Sequence, residues 1–228
     1  MDKLIIERPG KKDSDAIYKV FEETIPDAFE KENLCHLTED MLLEIESKKK
    51  LFDQVIKSSE GDTFFLVAKI EDEVIRTISF SPSSNDIIKL NLKQINNVGE
   101  LGSLYVLPSY QGRGIASALI HVLLEHLHRK GIQQFCLDSG YRLAQRRWLR
   151  KFGTPYKIIE EYWGKDNHHM IWLCRVRDYI ESSDVKAFHM YERVIKDSSI
   201  NLTTNVDFNA IVVYVIKGKD LSNQDVLQ

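Results

Sequence analysis

The chain has 228 residues, of which 43% are apolar and 29% are charged, with a formal net charge of −3. These values are typical of an ordinary globular chain and exclude a disordered or fibrous one. The net charge also shows no excess of basic residues of the kind that a nucleic-acid-binding surface requires. No apolar run is long enough to span a membrane, the charged first residues are not a signal peptide, and three dispersed cysteines without a C-x-x-C pair predict a cytoplasmic protein without a disulfide framework.

Changes in hydrophobic period divide the chain into strands and helices. Asp13 or Ser14 caps a first helix, which Pro26 is expected to break, and a second helix starts near Thr38. Two apolar runs on either side of residues 71–73 have the signature of a hairpin. In chain order, strands are predicted at 5–8, 63–70, 74–80, 99–107, 134–138, 156–163 and 169–176, and the later helices at 111–130 and 141–152.

The pattern changes beyond about residue 180, which predicts a domain over 1–180 and a C-terminal extension over 181–228. Residues 184–195 are weakly amphipathic and suggest a helix, and residues 210–216 form an apolar, strand-like run. That run must be buried, because an exposed apolar strand promotes aggregation. The extension covers the sheet, completes a binding site, or exchanges with a second subunit in a homodimer.

The most informative segment, residues 104–119, joins a predicted strand to a strongly amphipathic helix. The connection contains Gly112 and Gly114, and the helix begins at or just after them. The first N–H groups of a helix have no partner within it, and glycine lets the backbone approach an anion closely. Strand, glycine turn and helix start therefore predict a pyrophosphate cradle, to which Arg113 adds a positive charge.

This segment resembles the coenzyme A signature of the GNAT superfamily of N-acetyltransferases. That signature is a strand ending in V-x-P, then an aromatic residue, Q/R-x-x-G-x-G/A, and small and leucine residues. The matching residues are Val106, Pro108, Tyr110, Gln111, Gly114, Ala116 and Leu119. The order of predicted elements from residue 4 to 176 is also that of the family, so the resemblance covers about three-quarters of the chain.

The resemblance implies an α/β fold with a mixed, mostly antiparallel central sheet flanked by helices. It implies transfer of an acetyl group from acetyl-CoA, without a metal, to a small-molecule or peptide amine. The residues expected to bind the cofactor are Leu104, Tyr105, Val106, Gln111, Gly112, Arg113, Gly114, Ile115, Ala116 and Ser117. The backbone near Val106 is expected to donate an N–H group to the thioester oxygen.

The resemblance also implies two proton-transfer roles. Glu100 lies where the family places its general base, and even spacing predicts that its side chain shares one strand face with Gly102, Leu104 and Val106. The alternative is a solvated acid. The tyrosine that usually protonates the thiolate is missing from the matching region, residues 148–153. Tyr141 on the same helix, or Tyr156 after it, can substitute; the alternative is that both only pack.

Two other functions compete with this interpretation. A non-catalytic acyl-CoA-binding or sensing module would explain the missing tyrosine. A nucleotide-binding oxidoreductase would use Gly112-x-Gly114-x-x-Ser117, with Asp138 as the ribose-binding acid. Against the oxidoreductase, Ser117 replaces the third glycine, and predicted hairpins flank the unit on both sides. No P-loop motif occurs.

The remaining polar groups have simpler interpretations. His121, Glu125 and His128 share a helix face but lack the further ligands of a metal site. Residues 168 and 169, both histidine, are expected in an exposed hairpin turn. Cys136 and Cys174 are expected to be buried, inert thiols. The acids Asp27, Glu30 and Glu32 would suit a cationic amine, although surface acids are the more common explanation.

Overall fold

The computed structural model describes residues 3–57, 63–95, 97–111, 115–180, 190–193 and 212–216. The strands are β1 (Lys3–Glu7), β2 (Phe64–Ile70), β3 (Glu73–Ser81), β4 (Glu100–Val106), β5 (Gln134–Ser139), β6 (Lys157–Ile159), β7 (His169–Arg175), β8 (Met190–Arg193) and β9 (Val212–Ile216). The helices are α1 (Ser14–Lys31), α2 (Thr38–Lys57), α3 (Asn85–Lys89), α4 (Ile115–Arg129), α5 (Arg142–Phe152) and α6 (Val176–Ile180).

These strands form one sheet in the order β6-β7-β5-β4-β3-β2-β1-β9-β8. The β4–β5 pair is parallel, and every other pairing between described strands is antiparallel. The predicted fold class, a mixed and mostly antiparallel sheet flanked by helices, is confirmed.

Helices cover both faces of the central strands. Every residue of β2 is buried, and so is β3 from Val74 to Phe80, which requires cover on each side of the sheet. Helix α1 contacts β3 and β4, while α4 contacts β2 and β3. Helix α2 packs on α1, and Phe52 of α2 meets Phe65 of β2 edge to face. The start of β4 therefore lies deep in the domain.

Helix α1 does not break at Pro26, contrary to the prediction from the sequence. It continues to Lys31, with Pro26 inside it. Proline removes one helical hydrogen bond. The buried residues Phe21, Ile25 and Phe29 nevertheless keep helical spacing across it, so burial of this apolar face offsets the lost bond.

The chain after residue 152 departs from the predicted pattern in two places. Strand β6 is only three residues long, because residues 160–166 form turns and a bend in place of a tight hairpin. Met190–Arg193 form a strand where the sequence suggested part of a helix. The apolar run at 210–216 contains β9, which pairs with β1. The domain boundary at residue 180 stays a prediction.

Candidate functional site

Strands β4 and β5 touch at one point and then separate. Within the described residues, their pairing is confined to Glu100 opposite Cys136, beside a 2.9 Å bond from the Cys136 N–H to the Gly99 carbonyl. Further along, β4 pairs only with β3, and β5 only with β7. The β4 edge that faces β5 is therefore unpaired from Leu101 to Val106. Such an edge can accept an extended ligand by adding it as a strand.

A bulge changes which side chains of β4 share a face. Thr77 of β3 lies opposite Tyr105, but Ser79 lies opposite Gly102, so β4 holds one extra residue between these pairs. Ser103 has φ +48°, and its carbonyl accepts a 2.7 Å bond from Thr77 Oγ1. Cross-strand partners lie on the same face.

The predicted alignment of Glu100 with Leu104 and Val106 is therefore wrong. The bulge shifts the alternation by one residue, so Glu100 shares its face with Gly102 and Tyr105. This face looks toward the helix pair α1–α2, since the Tyr105 ring packs edge to face on Phe21.

Glu100 is a buried carboxyl group at the point where β4 and β5 separate. Its Oε2 accepts a 2.6 Å bond from the backbone N–H of Ser84. Burial, together with the negative charge of Asp138, raises its pKa to about 7, although the hydrogen bond from Ser84 and the charge of Lys48 oppose the shift. The solvated surface acid considered from the sequence does not describe this buried residue. A carboxyl group with a pKa near 7 suits general-base chemistry at neutral pH.

Asp138 ends a chain of hydrogen bonds on the β5 side. Trp163 Nε1 donates to His169 Nδ1 at 3.0 Å, and His169 Nε2 lies 3.0 Å from Asp138 Oδ2. Indole N–H can only donate, so His169 Nδ1 accepts and Nε2–H is the group that donates to Asp138. The expectation of an exposed residue 169 is wrong, because His169 is 4% exposed.

Tyr141, the predicted proton donor, is held by a residue that the sequence did not single out. Its hydroxyl donates to Glu44 Oε2 at 2.6 Å, and the Tyr105 hydroxyl donates to Glu44 Oε1 at 2.8 Å. Burial and the Glu44 charge raise the pKa of both tyrosines. Glu44 lies on α2, 97 residues from Tyr141, and no spacing in the sequence indicated the contact. Tyr156, the other candidate, is 39% exposed.

The turn after β4 is fixed by side chains of other elements. Arg76 Nη2 donates to the Tyr110 carbonyl at 2.6 Å. The side-chain amide of Gln111 donates to the Val106 carbonyl and to Asp27 at 3.3 Å each, and accepts from Lys31 at 3.1 Å. Gln111 therefore anchors the end of β4 to α1.

The predicted pyrophosphate cradle lies only partly in the described part of the chain. Gly112, Arg113 and Gly114 are outside the described residues, so their role stays a prediction. The described part of α4 begins at Ile115, which is buried, followed by the half-buried Ala116 and the exposed Ser117.

A cavity of about 610 Å³ opens beside Glu100. Its lining comes from the centre of α2, the ends of β2 and β3, and the first half of β4, as follows: Ser47, Lys48, Lys50, Leu51, Gln54, Thr63, Ser79, Ser81, Pro82, Ser83, Ser84, Glu100, Gly102 and Ser103. A larger cavity of about 880 Å³ adjoins it near the start of β4 and β5. None of the described residues that line that larger space is ionisable, so the cavity beside Glu100 is the better candidate for acid–base chemistry.

Other residues singled out from the sequence have structural roles. Glu32 is buried and accepts a 2.7 Å bond from the Leu143 N–H, so it caps the start of α5. Cys136 and Cys174 are buried as predicted, and burial raises the pKa of each thiol to about 12. His121 and Glu125 form a surface pair at 3.4 Å.

The described residues contain no group of three or more His, Cys, Asp or Glu side chains arranged to hold a metal ion. In the same residues, no helix combines the length and apolar character needed to cross a membrane.

Comparison with known proteins places this arrangement in a family. The model of the Acetyltransferase (GNAT) family matches residues 20–154. An acetyltransferase assigned to the GNAT family from Desulfovibrio desulfuricans has a TM-score of 0.56 and 16% identity, over 76% of this chain and 99% of that one. The PaiA N-acetyltransferase of Thermoplasma acidophilum, in complex with coenzyme A, has a TM-score of 0.55 and 18% identity, over 74% and 98%.

The ribosomal-protein-alanine N-acetyltransferase of Brucella melitensis has a TM-score of 0.55 and 15% identity, over 75% of this chain and 98% of that one. No curated protein matches the sequence. These TM-scores establish a shared fold, but identities this low do not indicate which acceptor molecule the protein uses.

Proposed function

The family match spans more than half of the chain, so the protein belongs to the Acetyltransferase (GNAT) family, and we propose that it transfers the acetyl group of acetyl-CoA to an amine. The observation that carries the proposal is Glu100, a buried carboxyl group with a pKa raised to about 7, in a polar cavity where β4 and β5 separate. This arrangement joins a base to an opening that can hold an extended ligand.

The donor is assigned to the unpaired edge of β4. The backbone from Leu104 to Val106 is available for hydrogen bonds with the pantetheine arm, and the turn from Gln111 to Ser117 is assigned to the pyrophosphate. Gln111 acts here by shaping the turn, because its amide already binds Asp27, Lys31 and the Val106 carbonyl. Tyr105 contributes its backbone, since its hydroxyl is bound to Glu44.

Glu100 is assigned the role of general base. It takes the proton of the ammonium form of the acceptor, directly or through water. The freed nitrogen forms a bond to the acyl carbon and loses its second proton to water, the carbon–sulfur bond breaks, and coenzyme A leaves as a thiolate that requires a proton. Tyr141 is the proposed source of that proton. Its raised pKa keeps the Tyr141 hydroxyl protonated, and the hydrogen bond to Glu44 holds the hydroxyl in place until its proton is transferred to the thiolate.

The test is thiol release from acetyl-CoA with a panel of amines. Glu100→Gln is expected to lower kcat by about 10²- to 10⁴-fold while acetyl-CoA still raises the melting temperature. Tyr141→Phe is expected to lower kcat by at least about tenfold if the hydroxyl donates the proton. Glu160→Gln, an exposed acid, serves as the matched control.

Each alternative has its own outcome. Stabilisation by acetyl-CoA without thiol release for any amine would identify a non-catalytic binding module, and stabilisation by NAD(P)H alone would identify an oxidoreductase. A Glu100→Gln variant as active as the Glu160→Gln control would remove Glu100 from the mechanism.

A further inference from the structure

Half of the residues that line the cavity beside Glu100 carry a hydroxyl group. Six serines and one threonine line it, together with the amide of Gln54: Ser47, Thr63, Ser79, Ser81, Ser83, Ser84 and Ser103. Leu51 and Pro82 are the apolar side chains of the lining. This surface matches a ligand that carries several hydrogen-bonding groups, and it matches a long apolar chain poorly.

Two of these hydroxyls are buried without a partner. Ser79 is 1% exposed and Ser103 is 4% exposed, and the Oγ of neither has a hydrogen-bond partner among the described residues. A Cβ placed on Gly102 would lie 3.6 Å from both Ser79 Oγ and Glu100 Oε1, so the hydroxyl and the proposed base lie close together. A buried polar atom that lacks a partner is costly, and a polar ligand in the cavity would remove that cost.

The charged residues of the lining are two lysines and one acid. Lys48 is half-buried, and it forms no ion pair or hydrogen bond with any described residue, whereas its neighbour Lys49 binds Glu22 and Glu46. Lys50 also lines the cavity and is exposed. Lys48 is close enough to Glu100 for its positive charge to lower the pKa of that carboxyl group.

The other acids near Glu100 are already engaged. Glu44 binds the hydroxyls of Tyr105 and Tyr141, and Asp138 binds His169. A polyamine would bring a second positive charge toward Lys48, and the described residues of the cavity lining offer no free acid to receive it. An amine that also carries an anionic group can place its cation at Glu100 and its anion at Lys48.

Within the proposed acetyl transfer, on which this inference rests, we propose that the acceptor is a small, hydrogen-bonding amine that bears a carboxylate or phosphate group, which Lys48 recognises. Ser79, on the face of the sheet that carries Glu100, binds one of its polar groups. The cavity volume of about 610 Å³ suits a small molecule of this kind.

The experiment compares amines that differ only in an anionic group. The pairs are ethanolamine with O-phosphoethanolamine, glucosamine with glucosamine 6-phosphate, and cadaverine with lysine; spermidine represents polyamines. We expect kcat/KM for the member with the anionic group to exceed that of its partner without one by about tenfold or more in at least one pair. The phosphate and carboxylate pairs distinguish the two anions.

Variants assign this preference to Lys48. Lys48→Met is expected to reduce the ratio to about one, and Lys48→Glu to reverse it, through KM. Ser79→Ala should raise KM for the same acceptor. Lys57→Met, on an exposed position of the same helix, is the control and should keep the ratio.

Calorimetric titration of each amine into the protein gives a readout that does not need turnover. Binding of an anionic amine that Lys48→Glu abolishes supports the proposed ligand class even if no acetyl transfer occurs, in which case the proposed function fails alone. Three results overturn the inference: a preference for spermidine or for the amines without an anionic group, a ratio unchanged in Lys48→Glu, or the absence of both binding and turnover for every amine that bears an anionic group.

Discussion

At the scale of single residues, the proposed chemistry depends mainly on Glu100. Its backbone lies opposite Cys136 at the point where β4 and β5 pair before they separate. Its side chain is enclosed by β3, α2 and the segment at Ser84. Desolvation there outweighs the stabilising bond from Ser84, so the carboxyl group takes up a proton far more readily than a solvent-exposed glutamate. Both its reactivity and its effect on stability follow from this environment.

Asp138→Asn tests the electrostatic contact between Asp138 and Glu100. The negative charge of Asp138 raises the pKa of Glu100, so removing it is expected to lower that pKa. The acidic limb of the profile of kcat/KM against pH should move to lower pH, because the base loses its proton earlier. The asparagine oxygen can still accept the His169 N–H. Asp166→Asn, in an exposed turn, should leave the limb in place; a limb unmoved in both variants would contradict the coupling.

Glu100→Gln should also change the dependence of stability on pH. The folded-state pKa, about 7, exceeds the ordinary value of 4.5, so folding favours the protonated form. This stability is fully present below pH 4.5 and is lost as pH rises through 7. The uncharged variant should therefore be more stable than the parent by up to about 3 kcal/mol at pH 8 and should melt close to it at pH 4.5. Equal melting temperatures at pH 8 would argue against a buried, ionised carboxylate.

At the scale of elements, two local devices place the site. The bulge at Ser103 turns Tyr105 onto the face of Glu100, toward Glu44 on α2. Glu32, just after α1, accepts the N–H of Leu143 in the first turn of α5 and so fixes the helix that follows Tyr141. Both contacts join segments far apart in the chain. Neither is visible in local periodicity, because they depend on how the elements pack.

Glu32→Ala tests the cap on α5. Loss of the bond to the Leu143 N–H, and of the weaker 3.3 Å contact with Arg142, is expected to cost about 1 kcal/mol. For a chain of this size the melting temperature should fall by about 2–4 °C. Glu30→Ala, at an exposed position two residues earlier, is the matched control. A variant as stable as that control would show that the cap contributes nothing measurable.

At the scale of the whole molecule, the sheet extends past the family domain. Strand β9 pairs along β1, opposite the edge that β2 occupies, and β8 pairs with β9. The GNAT-like structures cover about three-quarters of this chain, so the protein carries sequence beyond their common fold. The cavity beside Glu100 and the unpaired edge of β4 both lie within residues 47–106.

A chain ended after residue 180 tests whether the predicted domain is independent. We expect it to fold cooperatively and to retain stabilisation by acetyl-CoA, since the candidate site lies within residues 1–180. It should self-associate more than the full chain, because β1 then has an open edge. Light scattering and thermal melts measure both properties. Failure of the shortened chain to fold would move the domain boundary beyond residue 180.

The sequence by itself determined the family and the fold class, because these depend on short-range signals; the donor turn at 111–117 stays a prediction. Val106, Pro108 and Gln111 stand in one continuous motif, and amphipathic periodicity predicts α4. Only the tertiary structure decided three other features. These are the burial of His169, the contact of Glu44 with Tyr141, and the bulge that changes which side chains of β4 share a face. A side chain's environment depends on residues brought together from distant parts of the chain. The pKa of Glu100 is an example, because burial, Asp138, Ser84 and Lys48 together determine it.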